Sequence, residues 1–385
     1  MRINLFTAGD SQEVSTWSNV PYFLAQALVA HDVHLNRINL IPQGPVLEAY
    51  RQAHWKYEGL RHRILKEKRP LDIFRDPFVR TMINRRIRHA LAQHHEADFN
   101  FFLTYSFSSR PANSTPTIHL SDICYAHSLE DQQQTIKAKQ RRAIQAERRN
   151  LTRASLVLGT NEPCCQYIRE HYGVAGARRL PGGINLDWQL PEDRAAYLEN
   201  KWHARQVLFI GRGVHKRGVD LLLQAFERFN QGRAEPFRLT LIGIDSSEIG
   251  PVPDRVECIR YLNKDDPADM ARYIGLLESA TMFVMPMREG PPPGVVKEAL
   301  LTGTPVILSN IWHADSKLEH DRCGRLVDQI EADAFANEMT RMAADRERWQ
   351  DMATYATPYA KQWSWHKTAG DLLEDLCRLR DGGQA

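Results

Sequence analysis

The chain has 385 residues, enough for about two to three domains, with the 43% hydrophobic and 25% charged residues of an ordinary globular protein. Its 50 Lys+Arg against 47 Asp+Glu leave a formal charge of +3, too small a surplus to argue by itself for a nucleic-acid partner. The six cysteines form no CxxC or Cys/His metal spacing, and no apolar run approaches the roughly 18 residues of a membrane span. They read as reduced thiols. MRINLF leads directly into a strand without the pattern of a secretory leader, so the expectation is a cytoplasmic protein, at most peripheral to the inner face of a membrane.

In chain order, Ile3–Phe6 reads as a strand and about Val20–Ala30 as a helix, capped by Ser18 or Asn19 with Pro21 in its first turn. Val33–Ile41 is a second strand. This β-loop-α-β opening predicts a parallel sheet whose first loop lies at the ligand edge, placing Asp10, Ser15, Thr16, Trp17 and Ser18 where a substrate is handled. An aromatic beside small polar side chains suits a sugar ring; the alternative is a capped loop with Trp17 packed down. Residues 48–95 read as helical and strongly basic, from Arg51, Lys56, Arg61, Arg63, Lys66, Lys68 and Arg69 to Arg75, Arg80, Arg85, Arg86 and Arg88, interleaved with Trp55, Tyr57, Phe74 and Phe78. Such a segment either docks on anionic lipid or forms a solvated face. Phe99–Leu103, Thr117–Leu120 and Ala154–Leu158 are further short strands.

Val207–Ile210 starts a second unit, VLFIGRGVHKRGVDLLLQAF: strand, turn through Gly211 and Gly213, then a helix burying Leu221, Leu222, Ala225 and Phe226. Arg212 and the Lys216-Arg217 pair sit where cations can clamp a diphosphate. Leu239–Ile242 leads into a ligand-edge loop at Gly243. Met282–Asn310 reads as strand, Gly/Pro loop, short helix, turn and strand. A loop opening a helix points N–H groups outward. Pro291-Pro292-Pro293 lack such groups, so a phosphate there must rely on Gly290, Gly294, Val295 and Val296. Glu289 and Glu298 frame the loop, and a carboxylate can grip a sugar diol. Gly324–Asp328, a helix over about Ala332–Ala343 and a last helix over about His366–Leu379 complete the chain.

Glu298-Ala299-Leu300 followed by Gly303-Thr304-Pro305-Val306-Ile307 resembles the donor motif of GT-B fold retaining glycosyltransferases of the glycosyltransferase family 4 type. The passage Glu147, Ala154–Leu158, Tyr172-Gly173-Val174 and Leu180-Pro181-Gly182-Gly183-Ile184-Asn185 resembles that family's exit from its first domain. The likeness runs over nearly the whole chain and is specific mainly over 147–310. One departure is that Glu289 and Glu298 are separated by eight residues, so the donor loop carries one extra. The resemblance implies an α/β fold, GT-B, with two doubly wound Rossmann-like domains facing a central cleft. Residues 1–182 would form an acceptor-binding domain, 183–200 a linker, 201–360 a nucleotide-sugar-binding domain, and 361–385 a helix crossing back to the first domain.

The resemblance further implies transfer of a hexose from a UDP- or GDP-sugar to a glycan or lipid-linked acceptor, with the nucleotide sugar as co-substrate and no metal; no RNA- or DNA-binding motif accompanies the basic stretch, which argues against a nucleic-acid partner. Arg212 and Lys216 or Arg217 would meet the departing diphosphate, Glu298 the ribose, Glu289 the donor hexose and Tyr261 the base. Asp122, with His119 second, would line the reacting side. Two alternatives are a sugar-nucleotide epimerase of the same architecture and a non-catalytic binder of anionic polymer or membrane. The Glu-Ala and Gly-x-Pro-Val pair favours transfer. No complete G-x-G-x-x-G follows a strand, which argues against a nicotinamide dehydrogenase.

Overall fold

The computed structural model describes all residues except 15, 66–74, 110–114, 133, 135, 291–292, 312–321 and 383–385, and leaves out the side chains of 18, 59–65 and 139. The chain divides into two compact units, Met1–Leu180 with Ala369–Ala385, and Pro181–Thr368. The first holds strands β1 (Arg2–Thr7), β2 (His34–Asn39), β3 (Phe99–Phe102), β4 (Thr117–Ser121), β5 (Leu156–Gly159) and β6 (Arg178–Arg179). Its helices are α1 (Val20–Ala30), α2 (Pro45–Leu65), α3 (Pro77–Gln93), α4 (Tyr125–Asp131), α5 (Ala138–Thr152) and α6 (Glu162–Tyr167). The strands pair in parallel in the order β2-β1-β3-β4-β5-β6.

The second unit holds β7 (Gln206–Ile210), β8 (Arg238–Ile242), β9 (Val256–Ile259), β10 (Ala280–Met285), β11 (Val306–Ser309) and β12 (Gly324–Val327). Between and after them run α7 (Arg194–His203), α8 (Val219–Asn230), α9 (Pro267–Ser279), α10 (Val295–Leu301), α11 (Ala332–Ala344) and α12 (Arg346–Ala360). A last helix, α13 (Trp365–Arg380), starts in the second unit, and from Ala369 it belongs to the first. This sheet is also parallel, in the order β12-β11-β10-β7-β8-β9. Parallel sheets bury both faces under crossover helices, which is why β10 reads ATMFVM with every residue buried.

Local chemistry sets the element ends. The Asp76 carboxylate accepts from the N–H of Phe78 and Val79 (2.9 and 3.1 Å) and Pro77 fills the first turn, so α3 starts there. Asp266 and Pro267 open α9 in the same way. In the first core the Phe6 and Phe102 rings of neighbouring strands stack 4.2 Å apart. The basic stretch expected over 48–95 resolves into α2 and α3; Lys66, Lys68, Arg69 and Phe74 lie outside the described residues. The strand expected over Val33–Ile41 is shorter, and α12 was not anticipated, because its Pro358 and mixed pattern mask the period.

Lys201 is the largest polar burial of the second unit. It is 1% exposed, and its ammonium donates to the carbonyls of Leu277 and Glu278 (2.7 and 3.0 Å) at the end of α9. Burial pushes its pKa well below the usual lysine range. The last carbonyls of a helix have no partner inside it, and a cation there meets both the orphan oxygens and the negative end of the dipole. Lys201→Met is expected to lower stability by about 3 kcal/mol, since each acceptor stranded in the core costs roughly 1–3 kcal/mol. Urea denaturation of both proteins checks this; an unchanged midpoint would show that the ammonium is dispensable.

Candidate active site

The strand order of the second unit reverses between β7 and β10, and ligands of open parallel sheets bind at the carboxyl ends of the strands flanking such a reversal. The segments that leave those two ends are the turn 211–218 and the loop 286–294. Arg288 locks them together. Its guanidinium makes two 2.7 Å bonds to the Asp220 carboxylate and one of 2.7 Å to the His215 carbonyl, while its N–H donates to the Lys216 carbonyl at 3.0 Å. Against the cost of partial burial, this guanidinium holds the Asp220 carboxyl below the usual range. Gly218 completes the join: its φ is +71°, and a Cβ there would stand 1.8 Å from the Pro286 carbonyl oxygen. Any other residue would force the turn and the loop apart.

The lock puts Lys216 Nζ 3.9 Å from Glu289 Oε2. Arg217 instead turns toward the Met287 sulfur at 3.9 Å, so of the two cations Lys216 is the one on the loop beside Glu289. The Arg212 guanidinium lies 5.5 Å over the ring of Tyr261, which is half exposed. Gly211 and Gly243 spend their N–H groups on the Ile242 and Ile259 carbonyls (2.9 and 2.8 Å), so they shape the edge and do not donate to a ligand. Gly243 has φ +94°, and a Cβ would meet the Gly211 carbonyl at 2.5 Å. Val296 also departs from expectation, because its N–H donates to the Pro293 carbonyl at 3.1 Å. Gly213, Gly290 and Gly294 lie on the two segments and Val295 opens α10, while Pro291 and Pro292 lie outside the described residues.

Glu298 is buried, 2% exposed, with one carboxylate oxygen shared by Lys264 Nζ at 3.0 Å and the Tyr273 hydroxyl at 2.5 Å. Lys264 also stands 4.0 Å over the Tyr273 ring. Burial, with Glu298 alongside, raises the Tyr273 pKa well above normal, so the phenol stays a donor. The pair fixes the carboxylate and leaves its other oxygen for a further donor. Sequence reasoning missed Arg288, Asp220, Lys264 and Tyr273. An acid in the first turn of α8 and a basic residue beside Glu289 were the only available hints.

In the first unit the edge is built from the loop after β1 and the residue after β4. Thr16 packs against Gly9, Asp10 accepts from the Gln12 N–H at 2.8 Å, and Trp17 and Asn19 hold left-handed φ values of 39° and 72°. Left-handed backbone at a bulky residue costs on the order of 1–3 kcal/mol and clusters at functional sites. Asp122 lies at this edge. Burial raises its pKa, opposed by its own N–H, the Ser121 hydroxyl, the Ile123 N–H and the Trp17 side chain. The Ser18 side chain lies outside the described set. His119 differs from expectation: as the third residue of β4 it points into the sheet face and is fully buried. Its ring bonds the Thr104 carbonyl (2.8 Å) and the Ser108 hydroxyl (3.2 Å), and burial lowers its pKa to about 4, so it is a neutral packing residue.

Two doubly wound parallel α/β units define the GT-B class of folds. Residues 193–359 match the model of the family described as "Glycosyl transferases group 1". The chain is 26% identical over 182 residues to the D-inositol 3-phosphate glycosyltransferase of Corynebacterium urealyticum, covering 44% of this chain and 42% of that one. It is 27% identical over 227 residues to the GDP-mannose-dependent alpha-(1-6)-phosphatidylinositol monomannoside mannosyltransferase of Mycobacterium tuberculosis, covering 53% and 56%. The matches therefore span about half the length of these curated relatives. Among solved structures, sucrose-phosphate synthase from Thermosynechococcus elongatus superposes with a TM-score of 0.73 at 18% identity over 100% of both chains.

Two outcomes follow from this geometry. Lys264→Met removes one of the two groups fixing Glu298, and affinity for a nucleoside diphosphate should fall about tenfold, the equivalent of one 1.4 kcal/mol interaction. Titration calorimetry reads it, and unchanged affinity would detach Lys264 from the site. For Asp122 the folded protein holds the proton more tightly than the unfolded chain, because the folded pKa is raised above 3.8. Ionised Asp122 therefore costs stability at neutral pH, and the cost is relieved as pH falls through the raised pKa toward 3.8. Asp122→Asn should be at least as stable as wild type at pH 7 and show a flatter melting profile toward acid; a clear loss of melting temperature at pH 7 would reverse the sign.

Proposed function

We propose that the protein is a retaining glycosyltransferase that moves a hexose from a nucleotide-diphosphate sugar to a glycan or lipid-linked acceptor. The observation that carries the reading is the lock at the strand-order reversal, which holds Lys216 beside Glu289 on the same edge as Arg212 and Glu298. Departure of a nucleoside diphosphate builds negative charge, and fixed cations aimed at that charge lower the barrier. Arg212 and Lys216 take this role, Glu298 accepts from the ribose hydroxyls, Tyr261 offers its face to the base, and Glu289 stands toward the transferred sugar. Thr16, Trp17 and Asp122 of the first unit form the acceptor side. The names of the relatives support a nucleotide-sugar donor and an acceptor of the phosphoinositide kind.

Arg212→Ala should lower turnover about a hundredfold under saturating donor, the usual cost of a lost preorganised charged donor, with a smaller change in donor affinity. The assay is single-turnover transfer or donor hydrolysis across a panel of UDP- and GDP-sugars. No hydrolysis of any donor by the wild type, together with no nucleoside diphosphate binding, would overturn the enzyme reading in favour of a binding protein.

One observation favours a membrane-borne acceptor. No helix among the described residues is long and apolar enough to cross a membrane. Yet α2 presents Trp55 and Tyr57 to solvent, 77% and 63% exposed, on either side of Lys56 and one turn or more past Arg51. Aromatic rings flanked by cations suit the headgroup layer of an anionic bilayer, and each Lys or Arg there adds about 1 kcal/mol. Flotation with phosphatidylserine vesicles should recover the protein at low salt and lose it progressively at high salt. A Trp55→Ser/Lys56→Glu variant that floats like wild type would remove α2 from the interaction.

A further inference from the structure

The first unit carries a second polar cavity that the transfer reaction does not use. The described part of the connection between β3 and β4 holds no helix, and α3 and α5 flank a cavity of about 840 Å³ on that face of the sheet. Arg80 and Asn84 line it from α3, Arg149 from α5 with Arg153 just beyond, and Ser109 and Ser155 from the adjoining segments. Among the described residues that line it there are three guanidiniums, two amides and six hydroxyls, and no carboxylate. Arg149 and Arg153 are exposed and make no ion pair with any described residue.

Most of the cavity lies away from the acceptor edge, and Ser106 is the one described residue it shares with the smaller cavity lined by Ser121 and Ile123. Thr117, which opens β4, and Ser155, which precedes β5, lie at the amino ends of their strands, whereas Asp122 follows the carboxyl end of β4. Five residues of strand put these ends roughly 16 Å apart. Its wall is also braced from within, since the buried His119 ring bonds the hydroxyl of Ser108, a lining residue. An imidazole committed to holding a polar wall explains a polar burial in β4 that the transfer site leaves unexplained.

We propose that this cavity binds a phosphate-bearing polyol, with the Arg149 and Arg153 guanidiniums on phosphate oxygens and the serine, threonine and asparagine side chains on hydroxyl groups. Guanidinium forks match phosphate oxygens in pairs, and a lining without carboxylates leaves no competitor for them. A polyol suits the remaining lining, because hydroxyls and amides both donate and accept. The same chemistry is offered by a soluble sugar phosphate and by a phosphorylated lipid headgroup.

The test is equilibrium titration of the full chain with inorganic tripolyphosphate. An Arg212→Ala/Lys216→Ala variant, stripped of its donor-side cations, should keep a tripolyphosphate site. Arg149→Glu/Arg153→Glu should weaken that site at least tenfold, and Ser155→Asp, which puts a carboxylate into the cavity, should weaken it in the same direction. All three substituted positions are exposed, and matched circular dichroism melts establish that the variants fold. Displacement of tripolyphosphate by phosphatidic acid vesicles assigns the phosphate to a lipid, and displacement by glucose 6-phosphate alone assigns it to a soluble ligand. Equal affinity in wild type and Arg149→Glu/Arg153→Glu, or loss of all binding in Arg212→Ala/Lys216→Ala, overturns the proposal.

Discussion

The second unit depends on a contact that leaves no room for a methyl group. At Gly218 the turn after β7 runs against the Pro286 carbonyl that follows β10, and only a residue without Cβ, free to take a positive φ, permits the approach. Everything at that edge inherits its position from this join. The Arg288 fork on Asp220 prevents the two segments from sliding, and the carbonyls of His215 and Lys216 are taken up by the same residue. A lysine on a free loop would sample many rotamers; on this turn Lys216 is held near Glu289 before any ligand arrives. Preorganisation of this kind is what lets fixed charge act on a reaction without first being reoriented.

The same logic appears in the carboxylates. Glu298 is fixed by Lys264 and Tyr273, groups drawn from the loop after β9 and from α9. Asp122, partly buried, is met by donors that include the Trp17 side chain, on a loop whose backbone is itself strained. One acid is steadied by a countercharge and a phenol, the other is kept poorly solvated. These are different means to a single rotamer.

Much of the architecture was legible because parallel strands buried on both faces write themselves as short apolar runs, and Phe99–Phe102, Gln206–Ile210 and Ala280–Met285 are of this kind. Glycine and proline punctuation marked the turn at 211–218 and the end of α10. Side-chain direction was not legible. His119 and Asp122 are three residues apart on the same strand exit, and only the register of β4 against β3 and β5 tells which one faces the packed sheet. The partners of Glu298 and the Arg288 fork were hidden for a related reason: Tyr273, Lys264 and Asp220 lie 25, 34 and 68 residues from the groups they hold. No local pattern encodes a contact at that distance. Gly211 and Gly243 mark the edge in a second way, because the close backbone approach of the two turns admits no Cβ at 243.

The final helix carries a consequence for how the molecule is made. From Ala369 onward α13 is part of the first unit: Leu372 and Leu376 are fully buried, and Asp375 pairs with Arg178 of β6. A ribosome delivers β1 through β6 long before it delivers this helix, with the whole second unit in between. The earlier-made unit must therefore wait, its apolar seat for α13 uncovered, while the later-made one folds on its own. Completion of the first half is timed by the synthesis of the last turns, so a premature stop late in the message would damage the part of the protein that was translated first.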